Sequence, residues 1–456
     1  MKLPRLLLCA PSSGSGKTTV TCGLLQAFIN HGQRVSAFKC GPDFIDPMFH
    51  SQAIGAPAGN LDPFLMTEQI MCHLLCKNSA QAELAVLEGV MGYYDGLGGN
   101  TTQASTYSVA CATQTPAVLV VNAKGLSTSA VALTAGFCNY TTPHTISGVI
   151  FNQISPMLYP RLKELVETQL PVRVYGYLPL MPALTLQSRQ LGLIPAHELP
   201  QIQHKLQQLA AQTAQTIDLQ GLLQLAATAP ELEDNTPFTM PPSKQHIKIA
   251  VAQDNAFCFH YRDNFALLRQ LGAELIPFSP LQDRTLPPNI HGLMLGGGYA
   301  DLYADALHEN RTMHQNIYSA LKSGLPCIAQ GSGFSYLHQS MANPQGIHKE
   351  MTGFLPGSVH TEKTLQHFGY FTLTAQQNTL LLSKTESMPI HEFHYQRSNH
   401  AGNACIAIKP RSGATHACIQ ALKNTWAGFA HLHFYSAPYT AQRFVSACHQ
   451  QQEDCI

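Results

Sequence analysis

The stretch Ala10-Pro-Ser-Ser-Gly-Ser-Gly-Lys-Thr-Thr-Val20 decides the fold of the first half of the chain, because it joins a strand pattern to a helix pattern. The apolar run 5–10 predicts a buried strand, and residues 18–29 carry apolar side chains at helical spacing. Backbone N–H groups in such a loop and at the helix start attract an anion. Lys17 is placed to reach the outer phosphates of a nucleotide, and the Thr18 hydroxyl to ligate Mg²⁺. The predicted phosphate cradle consists of Gly14, Ser15, Gly16, Lys17, Thr18 and Thr19.

The loop departs from the usual phosphate-loop spacing at one position. The pattern G-x-x-x-x-G-K-[ST] places its first glycine at position 11, where this chain has Pro11. Gly14 and Gly16 still supply flexibility, so a nucleotide site remains the prediction, and the alternative is a Ser/Gly turn before an ordinary helix. A partitioning-type ATPase is disfavoured, because Ser12 or Ser13 stands where its second signature lysine would be.

Length and composition bound the class of protein. A chain of 456 residues predicts two or more domains. Its 27 basic and 27 acidic residues balance, which gives no reason to expect a nucleic-acid partner. No apolar run approaches the ~18 residues of a membrane span. A secretory signal is not predicted at the N-terminus, because its cleavage would destroy the phosphate loop. Thirteen cysteines without C-x-x-C spacing predict reduced thiols and a cytoplasmic protein.

Polar residues follow the predicted strands of the first half. Apolar strands at 34–40, 83–88, 117–122 and 146–152 alternate with helical segments, which predicts an α/β domain with a parallel sheet. Ligands of such sheets gather at the carboxyl ends of the strands. Glu88 is predicted to hold Mg²⁺ together with Thr18, and Asn152 to hydrogen-bond a nucleotide base. Asp43 and Asp46 follow the second strand, where the alternative is a turn with solvated acids.

A second α/β pattern follows an acidic and then proline-rich segment. We therefore predict a phosphate-loop domain at 1–228, a linker at 229–245 and a second domain at 246–456. The stretch Pro326-Cys-Ile-Ala-Gln-Gly-Ser-Gly333 runs from a strand into a small-residue turn, which is the pattern of a nucleophile elbow. Two histidine groupings, 391–394 and 431–433, have no acid or cysteine at ligand spacing, so no metal site is predicted there.

A series of motifs, in order along the chain, carries a family resemblance. They are the phosphate loop, 39–47 (Lys-Cys-Gly-Pro-Asp-Phe-Ile-Asp-Pro), 88–92 (Glu-Gly-Val-Met-Gly), Asp95 with Gly96, Arg189 with 191–193, 296–299 (Gly-Gly-Gly-Tyr), 391–395 and 431–434. In these segments the chain resembles the a,c-diamide synthases of corrinoid biosynthesis over essentially its whole length. The resemblance implies an ATP-dependent amidoligase domain, similar in fold to dethiobiotin synthetase, followed by a class I glutamine amidotransferase-like α/β domain.

The resemblance also implies the reaction and its participants. ATP and Mg²⁺ would be the cofactors, and the a- and c-side-chain carboxylates of cobyrinate, or those of a related tetrapyrrole such as nickel-sirohydrochlorin, would be amidated through an acyl phosphate. Glutamine or ammonia would supply the nitrogen, and the protein would be a homodimer. Lys17 would stabilise the transferring phosphoryl group, and Asp43 and Asp46 would act near the reacting carboxylate as a second metal site or as positioners. Arg189 would contact the nucleotide, and His431 would be the base of the glutaminase.

The glutaminase half departs from the family at its nucleophile. The family's turn reads Ala-Glu-Cys-Gly-Gly, whereas this chain reads Ala329-Gln-Gly-Ser-Gly333 and has Gly331 in the place of the cysteine. Ser332 and Cys327 are the two candidates for a replacement nucleophile. The sequence therefore predicts an amidoligase that uses free ammonia or ammonia delivered by another protein. The alternative is a tetrapyrrole or nucleotide carrier that has kept the fold and lost the chemistry.

Overall fold

The computed structural model describes residues 1–184, 188–189, 192–193, 201–234 and 246–454. Its contacts divide the chain into two units, Met1–Pro237 and Phe238–Ile456. Part of the predicted linker 229–245 lies outside the described residues. Within the described part, Leu232 is buried and its N–H donates to the Met1 carbonyl (3.0 Å), so this segment packs on the first unit.

Strands and helices alternate along the first unit. Its strands are β1 (Arg5–Cys9), β2 (Val35–Cys40), β3 (Ala58–Leu61), β4 (Leu84–Glu88), β5 (Ala117–Asn122), β6 (Ile146–Asn152), β7 (Arg173–Leu178), β8 (Ser188–Arg189) and β9 (Gly192–Leu193). Its α-helices are α1 (Lys17–Asn30), α2 (Ile45–Phe49), α3 (Glu68–Asn78), α4 (Thr106–Ala112), α5 (Ser129–Asn139), α6 (Tyr159–Gln169), α7 (Ile202–Thr216) and α8 (Leu219–Ala227).

Seven of these strands form one parallel sheet in the order β3-β2-β4-β1-β5-β6-β7. Three consecutive side chains of β1, Leu6, Leu7 and Leu8, are all fully buried. A strand buried on both faces belongs to a sheet that is covered on both sides, which is why its sequence is continuously apolar. The parallel α/β sheet predicted for this half is confirmed.

A buried arginine ties β1 to the end of α4. Arg5 is fully buried, and its Nε and Nη2 atoms donate to the Thr113 carbonyl at 3.0 and 2.8 Å. Its Nη1 atom donates to the carbonyls of Leu3 (3.0 Å) and Pro230 (2.8 Å). A cation at the end of a helix satisfies carbonyls that have no partner within the helix.

We expect Arg5→Met to lower the free energy of unfolding of the first unit by about 3 kcal/mol, because buried carbonyls would lose their donors. Hydrogen exchange of the β1 amides measures this loss locally. Arg34→Met is the matched control, since Arg34 pairs with Glu83 on the surface at 3.3 Å and such pairs contribute less than about 1 kcal/mol. Equal protection of β1 in parent and Arg5→Met would contradict the assigned role.

The second unit contains two six-stranded sheets. Its strands are β10 (Ile247–Ala252), β11 (Ala273–Phe278), β12 (Gly292–Leu295), β13 (Cys327–Gln330), β14 (Ser340–Ala342), β15 (His348–Glu350), β16 (Ser358–Ala375), β17 (Ser387–Ser398), β18 (Cys405–Ile408), β19 (Thr415–Cys418), β20 (Gln420–Leu422) and β21 (Thr425–Gly428). Its α-helices are α9 (Arg262–Gln270), α10 (Ala304–Glu309), α11 (Arg311–Lys322), α12 (Ser332–Leu337) and α13 (Pro438–Asp454).

The first of these sheets has the order β11-β10-β12-β13-β21-β20 and is parallel except for the antiparallel pair β20-β21. The second has the order β15-β14-β16-β18-β19, with β17 paired to β16. The long strand β16 changes register twice between Thr361 and Gly369, and such irregularities bend a strand. Among the described helices, none is long and apolar enough to cross a membrane, and the described cysteines are all free thiols.

Candidate active sites of the two units

The phosphate loop ends in a glycine that no other residue could replace without strain. Gly16 precedes α1 with a φ of +94°, a conformation that favours glycine. A Cβ at position 16 would also lie 1.9 Å from Asn152 Nδ2. This amide, at the end of β6, donates to the Ser15 carbonyl at 3.0 Å. Asn152 therefore braces the loop, and its predicted contact with a nucleotide base stays a prediction.

Lys17 lies at the start of α1 with its ammonium group held by the loop. Its Nζ atom donates to the Met91 carbonyl (2.5 Å) and to the Ser12 carbonyl (3.2 Å). Burial, together with the nearby Lys39 ammonium, lowers the pKa of Lys17 to about 8. An anion bound in the loop would compete with these neutral carbonyls for the lysine, and a negative charge would favour its protonated form.

Glu88 ends β4 and is the centre of a buried ionic cluster. Its Oε1 atom accepts from Thr18 Oγ1 (2.6 Å) and Lys39 Nζ (2.8 Å), and its Oε2 atom lies 3.2 Å from His50 Nε2. Lys39 is the register partner of Glu88 between β2 and β4, which explains their contact. Burial opposes the charge on Glu88, but the Lys39 ammonium and His50 outweigh it and hold the pKa of the carboxyl well below its usual range.

The two aspartates that follow β2 have different environments. Asp46 is buried, and its Oδ2 atom lies 2.5 Å from Lys39 Nζ. Asp43 is half-buried, and its Oδ1 atom accepts from the Ile45 N–H (2.9 Å). Burial, together with the neighbouring Asp46, raises the pKa of Asp43 to about 7. Asp46 is thus neutralised by a lysine, whereas Asp43 is a carboxyl group that can gain or lose its proton near neutral pH.

The structure brings together Thr18, Asp46 and Glu88 from three separate segments, with Lys39 between the two acids. Sequence reasoning did not assign His50, which lies in the π-helical turn His50–Ile54 directly after α2. A single histidine outside any recognised motif carries no signal of its own. The side chain of Arg189 lies outside the described residues, so its predicted contact is not located.

The donors at this cluster suit a magnesium ion. The Thr18 hydroxyl and the Glu88 carboxylate are hard oxygen ligands of the kind that Mg²⁺ binds, usually with several waters retained. Glu88 Oε2 is buried with His50 Nε2 as its neighbour at 3.2 Å, and a lone pair remains for a cation or for a water of its hydration shell. The residues present therefore fit the ion that a phosphate loop uses.

The second unit contains a sharp turn between β13 and α12. Gly331 occupies this turn with φ +52° and ψ −112°. Its N–H donates to the Gly428 carbonyl (2.9 Å), and its own carbonyl accepts from the Ser335 N–H (3.0 Å). A strained strand-to-helix turn of this kind presents one side chain at the end of a sheet. The predicted elbow is therefore present in shape, with glycine at its apex.

His431 lies against this apex. A Cβ at position 331 would be 3.1 Å from His431 Cε1, 3.6 Å from His431 Nε2 and 3.3 Å from the Gly297 Cα. Burial, together with the nearby His394, lowers the pKa of His431 to about 4, so the imidazole is neutral at pH 7. A side chain at position 331 would touch a neutral base, and glycine supplies no such side chain.

The two candidates for a replacement nucleophile, Ser332 and Cys327, have structural roles. Ser332 is buried, and its Oγ atom accepts from the Ala300 N–H at 3.3 Å. Cys327 lies inside β13 among the apolar core residues, and burial raises the pKa of its thiol. A thiol that is hard to ionise is a poor nucleophile. Neither environment supports a substitute for the missing cysteine.

Both units match families of known proteins. Residues 6–193 match the family described as the CobQ/CobB/MinD/ParA nucleotide binding domain, and residues 248–439 match the CobB/CobQ-like glutamine amidotransferase domain. The second α/β domain is therefore amidotransferase-like, as predicted.

Full-length relatives share both domains. A cobyrinate a,c-diamide synthase of Listeria innocua is 36% identical over 452 residues, which cover 97% of this chain and 99% of the relative. The protein of the same name from Priestia megaterium is 34% identical, with 97% of both chains covered. A third, from Synechococcus, is 35% identical, with 98% of both chains covered.

Proposed function

The chain belongs to the cobyrinate a,c-diamide synthase family, and from this premise we propose that it uses ATP to amidate the a- and c-side-chain carboxylates of cobyrinate, with ammonia as the nitrogen source. The observation that carries the proposal is the convergence of Lys17, Thr18 and Glu88 at the phosphate loop. A binding protein has no need of groups that stabilise a transferring phosphoryl group.

The chemistry follows from the substrate. A carboxylate resists attack by ammonia because its leaving group would be oxide. Transfer of the γ-phosphoryl group of ATP to a carboxylate oxygen forms an acyl phosphate and releases ADP. Ammonia then adds to the acyl carbon, phosphate leaves, and the nitrogen loses a proton as the amide forms. The protein's task is to hold the two substrates in line and to stabilise the charge that moves between them.

Each residue of the first site has a role in this scheme. Lys17 leaves its two carbonyl partners to bind the outer phosphates. Thr18 and Glu88 would hold Mg²⁺, which supplies charge neutralisation when bound. Lys39 and His50 keep Glu88 ionised and fix its position, which is what a buried carboxylate needs in order to serve as a ligand.

Asp43 and Asp46 act as positioners in this proposal, rather than as a second metal site. The ammonium group of Lys39 lies 2.5 Å from Asp46 and 2.8 Å from Glu88, which holds the Asp46 carboxylate in place beside the proposed metal ligand. Asp43 is half-buried and its backbone carbonyl is held by the Asn60 amide at 2.7 Å, and in this proposal its carboxyl group would orient the reacting carboxylate or the incoming ammonia. Arg189 would contact the nucleotide.

An isotope-transfer assay tests the reaction class. Cobyrinate labelled with oxygen-18 in its carboxylates is incubated with ATP, Mg²⁺ and ammonium chloride, and the products are measured by mass spectrometry. We expect one labelled oxygen to appear in phosphate for each amide formed. Corrinoid binding without ADP formation would support the carrier alternative. Nickel-sirohydrochlorin, run in parallel, tests the choice of tetrapyrrole.

We expect Glu88→Gln to lower kcat of amidation by about 100-fold or more, because a neutral amide is a poor Mg²⁺ ligand. Initial rates over a range of Mg²⁺ concentrations measure the effect, and the half-saturating concentration should rise. Glu83→Gln, a half-exposed acid just before the same strand, is the matched control and should leave the rate unchanged. A Glu88→Gln enzyme with an unaltered magnesium dependence would remove Glu88 from the metal site.

A further inference from the structure

Three potential metal ligands meet in the second unit, on strands that are distant in sequence. Glu392 lies on β17, and His416 and Cys418 lie on β19. One ligand atom from each of these residues lies within 4.8 Å of the others. We define this group as the Glu392 cluster. The residues near 391–394 alone predict no metal site, because the histidine and the cysteine of the cluster come from a strand more than twenty positions away.

The geometry points to a binding site for a zinc-class divalent ion formed by Glu392, His416 and Cys418. His416 Nε2 lies 3.3 Å from each of the two carboxylate oxygens of Glu392, so it faces the carboxylate centrally. Two ligands that bind one tetrahedral zinc at ~2.0–2.1 Å are themselves about 3.3 Å apart. The spacing therefore matches one edge of such a site without movement of either strand.

The mixture of donors selects the class of metal. Carboxylate, imidazole and thiolate together suit a borderline ion such as Zn²⁺, whereas Mg²⁺ and Ca²⁺ prefer oxygen alone. Three protein ligands leave the fourth position of a tetrahedral ion for water or another small ligand. Glu392 and Cys418 are buried, and His416 is partly exposed, so the cluster is reached from solvent at His416.

Neighbouring histidines support the cluster. His394 Nε2 is buried and lies 3.5 Å from Glu392 Oε2. The ring of His367 stacks on that of His416 with a centroid separation of 3.7 Å and an interplanar angle of 12°. These contacts fix the orientation of the carboxylate and of the imidazole, which is how outer residues of a metal site tune its ligands.

Metal binding is tested on the full-length protein without a polyhistidine tag, stripped with a chelator and titrated with Co²⁺ in excess Mg²⁺. Co²⁺ is the probe because a cobalt–thiolate bond gives a charge-transfer band in the near ultraviolet. We expect about one cobalt per chain with this band, and displacement of the cobalt by Zn²⁺. This readout is independent of amidation, so its failure leaves the proposed function standing.

Variants identify the ligands. We expect Cys418→Ser to remove the charge-transfer band, and His416→Gln, at a partly exposed position, to weaken Zn²⁺ affinity by about 10–100-fold. Cys258→Ser and His360→Ala are matched controls elsewhere in the unit and should behave as the parent. The site is overturned if the parent shows no thiolate band, or if His416→Gln binds Zn²⁺ as tightly as the parent does.

Discussion

Gly331→Cys is expected to give the chain a glutaminase activity that we predict to be absent from its parent. Release of glutamate from glutamine should rise by about 100-fold or more above the parent, because a thiolate nucleophile and a positioned base each contribute large factors to acyl transfer. Ammonium-dependent amidation should be unchanged, since the phosphate loop belongs to the other unit. The measurement is glutamate production by the purified protein with glutamine alone.

The physical reason is the geometry at the turn. The backbone at position 331 keeps φ +52° and ψ −112°, although no side chain there requires it. A Cβ would lie 3.6 Å from His431 Nε2, so a sulfur one bond further out can reach this neutral base. Contacts of 3.1–3.3 Å with His431 and Gly297 mean that these neighbours must shift by a few tenths of an ångström.

Gly331→Ala is the matched control for this experiment. Alanine introduces the same Cβ and the same backbone strain, which costs roughly 1–3 kcal/mol, but it brings no sulfur. Glutaminase activity in Gly331→Cys and none in Gly331→Ala would show that only the nucleophile is missing. A folded Gly331→Cys protein whose new thiol reacts with iodoacetamide but hydrolyses no glutamine would show that the pocket has lost more than its cysteine.

Lys17→Ala is expected to lower the rate of ATP-dependent amidation by about 1,000-fold. Lys17 is the side-chain cation that the proposed mechanism places on the transferring phosphoryl group, and loss of such a group costs several kcal/mol of transition-state stabilisation. Steady-state formation of ADP and of the amide measures the effect, and both should fall together. Corrinoid binding should be retained.

The control for this substitution is Lys124→Ala, which removes an exposed lysine from the same unit. Thermal unfolding of both variants separates lost chemistry from lost fold. Lys17→Ala also removes a partner of the Met91 and Ser12 carbonyls, so a small loss of stability is expected. A Lys17→Ala enzyme that keeps kcat but has a higher KM for ATP would show that the lysine only binds the nucleotide.

Local sequence patterns were sufficient for the elements that build the first site. The bounds of β5 and β6 agree with the predicted strands 117–122 and 146–152, because continuous apolar runs ended by polar residues are typical of parallel strands. The helix predicted at 18–29 is α1, which extends one residue further at each end. The phosphate loop was recognisable because its chemistry depends on residues that are adjacent in sequence.

Contacts between distant segments could not be predicted in this way. The pairing of Lys39 with Glu88 depends on the register of β2 and β4, which the sequence does not state. The amide of Asn152 reaches the loop from a strand more than a hundred residues away. The Glu392 cluster joins β17 to β19, which lie apart in the strand order, and the register shifts of β16 have no reliable local signature.

The source of the amide nitrogen is the most direct test of this account. Purified protein is supplied with ATP, Mg²⁺, cobyrinate, unlabelled ammonium chloride and glutamine labelled with nitrogen-15 in its side-chain amide, and the diamide is analysed by mass spectrometry. Because Gly331 offers His431 no nucleophile, we predict that the product carries unlabelled nitrogen and that glutamine alone supports no amidation. Nitrogen-15 in the diamide, formed from glutamine at a rate comparable to that with ammonium, would contradict the account.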